Sequence, residues 1–70
     1  MQKWEYTTLQ LVMNDKENMV WQDAVEDNRS VSERLNEFGA NGWELVGVDS
    51  RSLSGITIST VYYLKRPAGE

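Results

Sequence analysis

The sequence predicts a small α+β domain in which one helix packs on one face of an antiparallel or mixed sheet of three to four strands. Three observations favour this fold class: an alternating apolar and polar segment near each end of the chain, and one amphipathic segment between them. The chain of 70 residues is short enough for a single domain, residues 1–70. The predicted element order is β-(β)-α-β-β.

The first predicted strand covers residues 3–13, KWEYTTLQLVM. Its side chains alternate between two sides, with one set formed by Trp4, Tyr6, Thr8 and Val12 and the other by Leu9, Leu11 and Met13. The polar run NDKEN, residues 14–18, has the composition of a turn and ends this strand. Residues 19–25 allow two interpretations, because MVWQ either pairs back as a hairpin or begins a loop that carries Trp21 onto the core.

The predicted helix begins at Ser30, which forms a capping box with Glu33. One face packs and the rest is solvated, because Val31, Leu35 and Phe38 recur at helical spacing.

The helix is expected to end near Ala40 or Asn41, where Gly42 supplies the positive φ that a helix end requires. Gly39 would let the last turn lie close against the sheet. Trp43 is expected to fold back over Leu35 and Phe38.

Residues 44–49 are predicted as a strand, residues 50–55 (SRSLSG) as a loop, and residues 56–65 (ITISTVYYLK) as a long strand. This last strand lies either between the other two or at an edge. Its side chains alternate between two sides of the sheet. The set expected to face the helix is Ile56, Ile58, Tyr62 and Leu64, and the set on the other side is Thr57, Ser59, Val61, Tyr63 and Lys65.

A single helix leaves the other face of the sheet uncovered, and parity assigns to that face Thr7, Leu9, Leu11, Val61 and Tyr63. Exposed apolar faces of this kind usually mark an interface. With no Cys and no His, the chain can use neither disulfides nor the usual zinc sites to stabilise a thin core. The sequence therefore predicts a homo-oligomer formed through the open face of the sheet or its edge.

Three segments resemble a known family: KWEY at 3–6, SERLNEFGANGWELVGV at 32–48 and YYLKRP at 62–67. They are similar to the small bacterial and phage domains of domain-of-unknown-function family 4177, which open with a KWEY-like strand, carry an LNELGAEGWELV-like segment and close on YxLKRP. The similarity does not extend to residues 14–29. It implies a compact α+β domain without a known activity, and structural importance for Trp4, Tyr6, Leu35, Gly39, Gly42, Trp43, Leu45, Tyr63 and Lys65.

Composition excludes several classes of function. A net charge of −4 disfavours binding to nucleic acid or to an anionic membrane. No apolar run is long enough for a bilayer span and the N-terminus lacks a signal-peptide pattern, so we expect a cytoplasmic protein. Without His or Cys there is no Ser-His or Cys-His nucleophile, and we expect neither an enzyme nor a cofactor or metal.

The carboxylates Asp23, Glu26 and Asp27 precede the helix and are interpreted as solvated charges or as partners of the helix dipole. Glu44 is interpreted as an outward strand residue opposite Lys65 or Arg66.

The candidate anion donors are expected to be ordinary solvated charges in a monomer: Arg29, Arg34, Arg51, Lys65 and Arg66. In an oligomer, copies of the 50–55 loop and the strand ends converge, so the candidate ligand-binding residues are Arg51, Ser52, Lys65 and Arg66. The sequence thus predicts a non-enzymatic interaction or assembly domain that binds a second copy or another protein. The alternative is a small-ligand binder that sequesters a nucleotide or another anion between protomers.

Overall fold

The computed structural model describes residues 1–24 and 26–69, which form one four-stranded antiparallel sheet and one helix. In chain order the elements are β1 (Trp4–Met13), β2 (Met19–Trp21), α1 (Val31–Ala40), β3 (Glu44–Leu53) and β4 (Ile56–Pro67). The strands lie side by side in the order β2-β1-β4-β3. The predicted α+β class, with a helix packed on a sheet, is confirmed.

The ambiguous segment after β1 forms a hairpin, in which Leu11 pairs with Trp21. The turn is closed by Asn14, whose side-chain oxygen accepts hydrogen bonds from the backbone N–H groups of Lys16 and Asn18 at 2.9 and 3.0 Å. Asn favours turns because its side chain can satisfy the backbone in this way. The hairpin also delivers Trp21 to the core, where its indole N–H donates to the Arg29 carbonyl at 2.9 Å. The last residue of the ambiguous segment, at position 25, lies outside the described residues.

The helix has the predicted N-terminus. The Glu33 N–H donates to Ser30 Oγ at 3.1 Å, and the Ser30 N–H donates to Glu33 Oε1 at 2.9 Å. The C-terminus is also as predicted, with Asn41 as the cap and Gly42 at φ +89°. The expectation for Gly39 is wrong, because a Cβ added there would meet no atom within 4 Å.

The β3–β4 hairpin is longer than predicted, and the expected loop over residues 50–55 is wrong. β3 continues through Leu53, and Ser54 and Gly55 alone make the reversal, both with positive φ. Two-residue turns of this kind match the twist of the strands they join. Ser50 therefore belongs to the ladder, with its hydroxyl 3.2 Å from that of Thr60.

The core lies between α1 and the sheet. The buried apolar side chains are Leu9, Trp21 and Leu64, and the partly buried ones that pack against them are Leu11, Ala24, Val31, Leu35, Phe38, Trp43 and Tyr62. The assignment of Thr7, Leu9 and Leu11 to the uncovered face is wrong. They stand opposite Leu64, Tyr62 and Thr60 of β4, on the side that the helix covers.

Candidate interaction surface

The side of the sheet turned away from α1 is called the open face. Strand register places its residues in rows, which run from β1 through β4 to β3 as Tyr6/Lys65/Glu44, Thr8/Tyr63/Gly47, Gln10/Val61/Asp49 and Val12/Ser59/Arg51. Glu44 stands opposite Lys65, as expected from the sequence. Val61 and Tyr63 also lie on this face, as predicted.

Two strands of the sheet each carry an extra residue, and one of these adds an apolar side chain to the open face. Val46 is the extra residue in β3, between Leu45 and Gly47, and Ile58 is the extra residue in β4, between Thr57 and Ser59. A bulge places two residues against one and re-aims a side chain. Ile58 accordingly lines a depression on the open face.

The bulge at Ile58 also determines on which face the residues at the end of the β3–β4 hairpin lie. Alternation along β4 places Ile56 on the side of Ile58, and alternation along β3 places its partner Leu53 on the side of Arg51. Leu53 and Ile56 therefore both lie on the open face. The expectation that Ile56 and Ile58 face the helix is therefore wrong, because simple alternation does not account for the extra residue.

The open face is the more apolar of the two exposed surfaces. Among the described residues it carries five large exposed side chains, Trp4, Tyr6, Leu53, Ile56 and Tyr63. On the helix side, Met19, Leu45 and Val48 are comparably exposed. The most exposed of the aromatic rings, Tyr6, has 69% of its surface accessible.

A polar region interrupts this surface near β3. Gln10 donates from Nε2 to Ser59 Oγ at 3.2 Å, and both side chains line a depression of about 370 Å³ together with Asp49, Arg51 and Tyr63. Arg51 is thus placed in a concave site on the open face, and Asp49 shares it.

The four candidate ligand-binding residues do not converge in one chain. Lys65 lies on the open face with Nζ 4.1 Å from the centre of the Trp4 ring. Arg51 pairs with Ser59, six residues away from Lys65 along β4, which is roughly 20 Å. Ser52 follows Arg51 in β3, in a strand and not in the expected loop. An anion site that uses these residues stays a prediction and requires a second copy.

Arg66 lies on the helix side of the sheet, away from Lys65. Its guanidinium group stacks on the Trp43 ring at 4.3 Å, forms an ion pair with Glu5 and donates to the Asn41 carbonyl at 2.9 Å. Arg66 therefore stabilises the C-terminal end of α1.

The residues given structural importance by the family resemblance separate into two groups. Trp4, Tyr6 and Tyr63 occupy the open face, whereas Leu35 and Trp43 pack in the core and Leu45 stands beside Leu64 at the β3 edge. The rings of Trp43 and Phe38 lie 6.4 Å apart, so the predicted fold-back of Trp43 is confirmed for Phe38.

Arg34 is buried, and the expectation of a solvated charge is wrong. It is 3% exposed and donates to Asp27 Oδ2 and Asp23 Oδ2, both at 2.8 Å. Its guanidinium lies 4.9 Å from the centre of the Trp21 ring. The sequence did contain a signal, because Arg34 falls three residues after Val31 and four before Phe38, on the packed helix face.

The same ion pairs change the interpretation of the acidic loop before the helix. Asp27 accepts hydrogen bonds from the side chain and the backbone N–H of Arg29 and from Arg34, and these hold the pKa of its carboxyl well below the ordinary value. Burial acts to lower the pKa of Arg34, but its bonds to Asp23 and Asp27 outweigh this and raise it. Two of the three carboxylates, Asp23 and Asp27, thus pair with an internal cation, and Glu26 is exposed.

Within the described part of the chain, no helix is long and apolar enough to cross a membrane. No protein-family model, curated protein sequence or solved structure matches the chain. The resemblance to family 4177 therefore stays a prediction.

Proposed function

We propose that this chain is a non-enzymatic assembly module of the cytoplasm that acts as a homo-oligomer, with the open face covered by a second copy. The observation that carries the proposal is the set of five large exposed side chains on that face. The cytoplasmic location rests on the sequence pattern alone.

The thin core supports a second copy as the partner. Only three apolar side chains among residues 1–24 and 26–69 are buried, Leu9, Trp21 and Leu64. Each Å² of apolar surface removed from water contributes about 25 cal/mol. Domains of this size without disulfides or metals commonly gain the missing stability by self-association.

The test is the native mass at micromolar concentration, measured by light scattering or native mass spectrometry. Tyr6→Glu places a charge on the open face opposite Lys65, which favours the folded chain while opposing burial of the face. We expect a lower mass than for the wild type. The matched control is Asn36→Glu on the exposed side of α1, which should leave the mass unchanged. A monomeric wild-type protein would contradict the proposal.

The second candidate is binding of a small anion, which the depression around Arg51 favours. Asp49 lines the same depression and opposes an anion, which is why this function comes second. The test compares thermal stabilisation of the wild type and Arg51→Ala by inorganic phosphate and by nucleoside triphosphates, with Lys16→Ala as the control. Equal shifts in wild type and Arg51→Ala would remove the candidate.

A further inference from the structure

The outer edge of β3 is a second unpartnered surface, distinct from the open face. β4 lies along one edge of β3, and no strand among residues 1–24 and 26–69 pairs with the other. A ten-residue exposed edge is a template for pairing with another strand. The extra residue Val46 limits the regular part of this edge to residues 47–53, because the other extra residue, Ile58, lies in β4 and leaves β3 uninterrupted.

The charges on this regular stretch are self-complementary. Asp49 and Arg51 lie on the open face at either side of Ser50. In an antiparallel pairing of two β3 strands with Ser50 opposite Ser50, each Asp49 faces the Arg51 of the other copy, so the pair occurs twice. Registers centred on Asp49 or on Arg51 instead place like charges opposite one another, which is destabilising.

Shape favours the same register. Gly47 then stands opposite Leu53 of the second copy, and its missing side chain leaves room beside Tyr63, whose Cδ2 is 3.9 Å from the position of an added Cβ. Leu53 is 66% exposed in the single chain. In the pair it covers Gly47 and contacts Tyr63, which buries apolar surface that both residues otherwise leave in water.

We propose that two copies join through their β3 edges in this register, with Ser50 on the two-fold axis. The product is an eight-stranded sheet with one continuous open face. The inference rests on the proposed function in that the partner is a second copy, but it uses a different surface. Both contacts together would stack two such sheets and give a closed set of four chains.

A single introduced cysteine tests the register directly, because the chain has none of its own. Ser50→Cys places two thiols opposite each other, with Cα atoms about 4.5 to 5.5 Å apart, within the range of a disulfide. The matched control is Ser52→Cys, whose two copies would be about 14 Å apart. Under mild oxidation we expect covalent dimers of Ser50→Cys and at least tenfold fewer of Ser52→Cys. Equal yields, or none from Ser50→Cys, would overturn the inference.

A charge exchange provides an independent readout. Asp49→Arg alone places Arg opposite Arg at two points and should lower the native mass of the assembly by half or more. The double variant Asp49→Arg with Arg51→Asp restores both opposite-charge pairs and should restore the mass. Failure of that restoration, or no effect of the single variant, would overturn the edge pairing. The open-face proposal would still stand if Tyr6→Glu dissociates the wild-type assembly, because Tyr6 is far from the β3 edge.

Discussion

The two sides of the sheet differ in how their side chains are satisfied. On the helix side, Leu9, Trp21 and Leu64 are buried, and even the charge of Arg34 is enclosed and paired. On the open face, Tyr6 and Leu53 remain exposed to solvent in the single chain. Residue type alone would predict the reverse, with Arg outside and Tyr and Leu inside.

The difference shows that the single helix, and not hydrophobicity, decides which side is the core. Tyr63 and Leu64 are neighbours in β4, yet the first is 40% exposed and the second 1%. A ten-residue helix covers one face of the sheet, and this short chain has no second helix among its described residues to cover the other. Substitutions on the two sides of the sheet should therefore differ in their effects on stability.

The largest effect is expected from the two neighbours in β4. Leu64→Ala should lower the free energy of unfolding by about 3 kcal/mol, because it leaves a cavity in the core. Tyr63→Ala should cost about 1 kcal/mol or less in the single chain but should lower the native mass. Chemical denaturation and light scattering measure the two quantities. If both variants changed stability equally, the contrast between the two sides would be lost.

Arg34 tests whether its charge or its packing matters more. Arg34→Ala should cost about 2 kcal/mol, since it removes the partner of Asp23 and Asp27 and uncovers Trp21. Arg34→Met leaves the same carboxylates without this partner but keeps the contact with Trp21, so it should lose about 1 kcal/mol less than Arg34→Ala. Denaturant midpoints would measure both. Equal losses would show that the charge itself stabilises the fold.

The two glycines at the end of α1 should respond in opposite directions. Gly42→Ala should cost about 1 kcal/mol, because Gly42 has φ +89°. Gly39→Ala should stabilise by up to about 1 kcal/mol, because the site is open and Ala favours a helix. Thermal unfolding of the two variants measures these changes in stability. A loss in Gly39→Ala would mean that this position contacts something in the assembly.

The smallest effect is expected in acid. The pKa of Asp27 in the folded chain lies below its ordinary value of 3.8. The unfolded state therefore binds a proton first as the pH falls, and stability declines below about pH 4. In Asp27→Asn this decline in stability should be shallower than in the wild type. The control Asp15→Asn, in the exposed β1–β2 turn, should lose stability as steeply as the wild type. Denaturation midpoints between pH 2 and pH 6 give the comparison.

Local signals in the sequence were sufficient for most of the fold. The Ser30 capping box, the Gly42 reversal and the alternation of β1 and β4 act through the residues themselves, so they are visible without tertiary structure. The continuation of β3 through Ser50 and Leu53 was not visible, because a hydrogen-bonded partner strand imposes it on residues with weak strand preference.

The candidate surface was predictable in kind but not in detail. An uncovered apolar face follows from counting one helix against one sheet. The residues that make up this face do not follow from the sequence, because the bulge in β4 places Ile56 and Ile58 on the side opposite to the one expected. A bulge arises from pairing between strands. Arg34 was missed for a related reason. Its burial depends on Asp23 and Asp27 arriving from a separate loop.

The position of β4 has a consequence for synthesis of the chain. β4 lies between β1 and β3, and its pairing with β1 joins Trp4 to Pro67. A ribosome delivers this central strand after every other element, so the sheet cannot close until residues 56–67 have emerged. Contacts of such long sequence separation slow folding. The nascent chain thus exposes one edge of β1 and both edges of β3 until β4 has emerged.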